Sequence, residues 1–64
     1  MKLTAKNKHD ICIGTILQDS ISRYIVTNIW TCGRSIYVTL TDTDTRQNIY
    51  GVSISSCYGM DIRG

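Results

Sequence analysis

The sequence predicts a small all-β domain, on three observations. Ile, Val and Thr supply 21 of the 64 residues (ten, three and eight), and these β-branched side chains favour extended backbone. Good helix formers are scarce: Glu is absent and the only Ala is Ala5. Apolar and polar residues alternate in short runs bounded by Gly, Asn, Asp and Ser, the period-two pattern of half-buried strands.

Taken in order, Ile11–Leu17 reads as the first strand, with Gly14 at a bend or bulge. Gln18–Ser22 reads as a polar loop with Ile21 as its buried anchor. Arg23–Thr31 is the second strand, and Cys32–Ser35 a turn in which Gly33 takes positive φ at little steric cost. The third strand, Ile36–Thr41, puts Ile36, Val38 and Leu40 on one face and Tyr37, Thr39 and Thr41 on the other. Asp42–Thr45 is a turn whose Asp and Thr side chains can bond their own backbone. The fourth strand is Gln47–Ser55, with Tyr50, Val52 and Ile54 inward and Gly51 allowing a bend. Ser56–Gly59 forms a single helical or tight turn, and Met60–Arg63 a short closing strand with Met60 and Ile62 inward.

No linker, repeat or low-complexity stretch divides the chain, so residues 1–64 read as one domain. An isolated sheet this small leaves one face and two edges exposed, whereas closure buries the face and removes the edges. Long first loop, long hairpins, single turn and short last strand together predict a five-stranded antiparallel SH3-like barrel. An open β-meander or an OB-like barrel is the alternative. The OB plan suffers from the lack of a helical segment between strands three and four.

The net charge of +2 is too small to name a polyanionic partner, and no apolar run reaches the roughly 18 residues of a membrane span. Three lysines lie within Met1–Lys8 with no apolar stretch behind them, unlike a secretory signal. Cys12, Cys32 and Cys57 are odd in number and widely spaced. They read as free thiols in a reducing compartment, hence a cytoplasmic protein, against one pair plus a leftover or an intermolecular bridge.

Chemistry is sparse. His9-x-x-Cys12 has ligand-like spacing, and Cys32 and Cys57 would complete a Cys₃His set. Structural zinc sites draw on two close pairs and only one exists here. Cys12 and Cys57 therefore read as core fillers, His9 as a solvated side chain, and no metal or cofactor is expected. Asp42-x-Asp44 resembles the start of a calcium loop, but Gln47 and Ser53 stand where Gly and Glu are required. With one His, no Glu and isolated glycines, no nucleophile has an evident base and no phosphate loop is present. The expectation is that the protein is not an enzyme.

Recognition is the remaining class. Trp, Tyr and Arg are the hot-spot residue types of protein interfaces. The second strand carries apolar residues on both faces, Tyr24, Val26 and Trp30 on one and Ile25 and Ile29 on the other. One barrel wall cannot bury both, unless the segment from Leu3 to Ala5 covers the excess. Ile25, Ile29, Trp30, Arg34 and Tyr37 are thus the expected contacts for a protein partner, with a homodimer or strand addition as variants. The alternative is single-stranded nucleic acid held by Arg23, Arg34, Arg46 and Tyr37 through stacking and phosphate contact. A plain non-catalytic module suits an adaptor or inhibitor of the kind small phage or viral genes encode, acting in the host cytoplasm.

Overall fold

A computed structural model describes residues 1–63. Five strands are present: β1 (Ile16–Gln18), β2 (Arg23–Cys32), β3 (Ser35–Asp42), β4 (Asn48–Ser53) and β5 (Asp61–Ile62). They form one antiparallel sheet in the order β4-β3-β2-β1-β5. Short 3-10 turns cover Lys8–Asp10 and Ile54–Cys57. The all-β expectation holds, but the sheet is open: among the described residues no pairing joins β4 to β5. The N-terminal chain already takes the far side of β5. Lys2 bridges to Asp61, the Leu3 N–H donates to the Met60 carbonyl at 2.8 Å, and the Ile62 N–H donates to the Met1 carbonyl at 2.8 Å.

The core lies on one side of the sheet. Leu17, Val26, Ile36, Val38 and Leu40 come from the strands, Ile54 and Cys57 from the second 3-10 turn, and Leu3 and Ile11 from the N-terminal segment. Leu3 is fully buried, so that segment fills the core beside β5 and is not a cover for excess apolar surface on β2.

Three bulges set which side chains face in. Gly14, at φ +98°, and Thr15 both bond Val26, so β1 proper starts only at Ile16 and not at Ile11. In β2, Val26 opposes Leu40 but Asn28 opposes Thr39, which leaves Thr27 as an extra residue. In β4, Val52 opposes Val38 but Ile49 opposes Leu40, which leaves Tyr50 and Gly51 together across from Thr39. Gly51 sits at φ +68°, where a side chain would be strained. Both bulges meet at Thr39, whose carbonyl accepts from the Thr27 hydroxyl at 3.3 Å.

The bulges account for the misassigned side chains. A regular β4 would turn Tyr50 and Val52 inward. The extra residue sets Val52 against the core, places Ile49 across from Leu40 but still exposed, and leaves Tyr50 73% exposed. Ile21 is not an anchor; it is 89% exposed. Its loop needs none, because Asp19 Oδ1 accepts from the Ile21 N–H at 2.8 Å and the Ser22 N–H at 2.6 Å. Asp42 repeats the device, accepting from the N–H groups of Asp44 and Thr45. Cys57 fills the core as expected. Cys12 does not: the turn that reverses the chain at Gly14 leaves it exposed, bonded through its N–H to Thr15 Oγ1 at 3.2 Å.

Candidate functional site

Residues directly opposed across antiparallel strands share a face, so the register sorts each side chain. Val26 with Leu40, and Ile29 with Val38, point to the core. Ile25 with Thr41, Asn28 with Thr39, and Trp30 with Tyr37 point to the outer face. The extra residue at Thr27 is what lets Val26 and Ile29 share the inner side, although they are an odd number of positions apart. Ile29 therefore packs against the core and does not join Ile25 and Trp30.

Trp30 and Tyr37 lie on the outer face two residues from the β2–β3 loop. Their rings stack with centroids 6.2 Å apart and planes inclined by 21°, and Trp30 stays 38% exposed. The hairpin fixes this pairing. Gly33, at φ +61°, is the first of two central residues in a tight loop closed by Cys32 opposite Ser35, which aligns Trp30 with Tyr37 two residues on. That alignment was available from the sequence, because a two-residue loop dictates the register of the strands it joins. Ile25, half-buried, extends the face toward Ile16 on β1. On β3 and β4 the face turns polar, with the Thr41 hydroxyl donating to Asn48 Oδ1 at 2.6 Å and Asn48 Nδ2 donating to the Tyr50 hydroxyl at 3.2 Å. Tyr50 joins the site unforeseen, since only the bulge turns it outward.

The arginines do not converge. Arg34 caps the β2–β3 loop at one end of the sheet. Arg23 opens β2 at the other end, beside the β3–β4 turn that carries Arg46, and the Arg23 carbonyl accepts from the Thr43 N–H at 3.0 Å. A ten-residue strand puts roughly 30 Å between Arg23 and Arg34. Asp19, Asp42, Asp44 and Asp61 all lie at the Arg23 end, with Asp61 paired to Lys2 at 3.4 Å.

Among the described residues two groups titrate away from their ordinary values. The Ser22 and Ile21 N–H groups hold the Asp19 carboxyl below the usual aspartate value. Burial pushes the Cys57 thiol up and keeps it protonated, whereas Cys12 and Cys32 are exposed free thiols. Among the described residues no three His, Cys, Asp or Glu side chains gather where they could hold a metal ion, and no helix is long and apolar enough to cross a membrane. No family model, curated protein or solved structure matches this chain.

Proposed function

We propose that the chain is a non-catalytic module of the SH3-like barrel class, an adaptor or inhibitor that binds another protein through the outer face of β2 and β3. The class is supported by the strand order and by the 3-10 turn at Ile54–Cys57 leading into β5. One observation carries the function: the stacked, partly exposed Trp30–Tyr37 pair on the solvent side of the sheet. Aromatic anchors rimmed by polar groups are the usual centre of a protein interface. On the same face Asn28 and Thr39 stand between this pair and Ile25, Arg34 lies in the adjoining β2–β3 loop, and Thr41, Asn48 and Tyr50 supply polar groups further along. A nucleic-acid groove would need its cations along one track, and Arg23 and Arg46 stand at the opposite end from Arg34.

The test is affinity capture from the native cells with wild-type protein and with Trp30→Ala and Tyr37→Ala variants. Both variants are expected to melt cooperatively and to lose the captured partner. Retention of the partner by both, or retention of single-stranded DNA or RNA at low salt in its place, overturns the reading.

A further inference from the structure

We propose that the free edge of β2, from Thr27 to Cys32, takes up an extended acidic segment of the protein partner as an added strand. The inference rests on the protein-binding reading above, but on a different surface. β1 pairs with β2 only as far as Ile25, and its bulge at Gly14 and Thr15 ends at Val26. The turn from Cys12 to Thr15 then carries the chain away, and among the described residues the rest of β2 has β3 as its only strand neighbour.

Hydrogen-bond phase shows which groups this leaves free. Residues of an antiparallel pair alternate between bonding each other and pointing their N–H and C=O away. Cys32 and Ser35 close the tight loop, so they bond, as do Trp30 with Tyr37 and Asn28 with Thr39. Ile29 and Thr31 therefore point their backbone groups at the empty edge. The Ile29 N–H confirms the phase, because it donates to the Asn28 side chain (Oδ1) at 2.9 Å and not to β3. Thr31 keeps a donor and an acceptor for an incoming strand.

Beyond the bulge at Thr27, the edge carries few of the devices that discourage pairing. Thr27 to Cys32 holds no charge and no Pro, and the blunting is confined to Asn28 over one N–H. Charge selects the occupant. Arg34 stands exposed just past the edge and makes no ion pair among the described residues, while four of the five Asp lie at the far end of the sheet. An incoming strand with Asp or Glu beside Arg34 completes that end, and its outward side chains lie alongside Trp30. A second copy fits worse. Two-fold pairing of the edge with itself runs Arg34 into the Tyr24–Val26 stretch of the copy, which has no carboxylate and whose edge β1 fills.

The test is selection of a random dodecapeptide library on the immobilised full chain. Enriched peptides are expected to alternate β-branched or aromatic residues and to carry Asp or Glu near one end. Thr31→Pro removes the free donor without touching a ladder bond and should lower their affinity about tenfold. Methylating the peptide's own backbone nitrogens should do the same, which keeps the test decisive if Thr31→Pro fails to fold. Arg34→Glu should weaken the acidic peptides and favour their Lys-substituted versions. Equal binding by Thr31→Pro and by N-methylated peptides overturns the added strand; if Trp30→Ala then abolishes binding, the outer-face reading survives alone. Enrichment of peptides with no acidic residue, no enrichment, or a dimer in light scattering that Thr31→Pro abolishes, each overturns the proposal.

Discussion

From Arg23 to Val26, β2 lies between β1 and β3; from Thr27 to Cys32 it pairs, among the described residues, with β3 alone. The first stretch touches the fully buried Leu17 through Tyr24 and contributes Val26 to the core. The second is mostly exposed and keeps only Ile29 against the core. The same strand thus serves as core wall and as protruding ribbon, and the bulge at Thr27 marks the change. On the proposed function, stability and recognition separate along one hairpin, so substitutions in the two stretches should affect different measurements.

The largest effect belongs to the core end. Leu17 is fully buried, flanked across the sheet by Tyr24 and Ile62. Leu17→Ala should cost about 2–5 kcal/mol, against a total of about 3–5 kcal/mol for a domain of this size. The variant should show no cooperative melt at room temperature in circular dichroism. Trp30→Ala, in the ribbon, forfeits about 1 kcal/mol of aromatic pairing and should still melt cooperatively. Equal losses from the two substitutions would erase the division.

The boundary itself can be probed by shortening the chain. Deleting one residue from a regular strand turns every later side chain to the other face. Deleting Ile25 should do this, sending Val26 outward and unfolding the domain. Deleting Thr27 should not, because Thr27 is the surplus residue opposite Thr39 and the strand closes up with Val26 and Ile29 still inward. Its cost should be about 1 kcal/mol for the lost bond to the Thr39 carbonyl. Thermal melts of the two deletions decide the matter; similar melts would mean that the bulge does not set the faces.

Those bulges also mark where the sequence stops being legible. β3 has none on its own chain, and the inward set of Ile36, Val38 and Leu40 follows from alternation alone. β2 and β4 each slip by one residue, and a period-two pattern does not show where the count slips. Gly51 signalled a bend, but not that the bend leaves Tyr50 exposed. The surplus of isoleucine has a plain resolution: Ile13, Ile21 and Ile49 are exposed singly, while Ile16 and Ile25 lie half-buried on the outer face. Leu3 carries no strand signal and reaches the core through two backbone bonds with Met60 and Gly59 that only the folded chain reveals. At the site, the two-residue hairpin loop makes the pairing of Trp30 with Tyr37 readable. Strict alternation, however, puts Trp30 on the face of Val26 and Ile29 on that of Ile25; the bulge at Thr27 that reverses both is not readable.

The smallest expected effect lies at the core end, in the loop that Asp19 closes. Its carboxylate accepts from two backbone N–H groups and is held below the usual value of 3.8. A group whose pKa falls on folding adds stability above its unfolded value, and that stability is lost as pH falls through the folded one. The Asp19 contribution should therefore be full near neutral pH and vanish at pH values below 3.8. The side chain is exposed, so solvent screens the interaction and the effect stays small. Asp19→Ala should lower the melting temperature near neutral pH and leave it unchanged in acid, so that the two melting curves converge there. Convergence ties the β1–β2 loop to the core end of the sheet, which it joins through Gln18 and Arg23. A gap between the curves that persists in acid would mean that the loop is held by something other than this carboxylate.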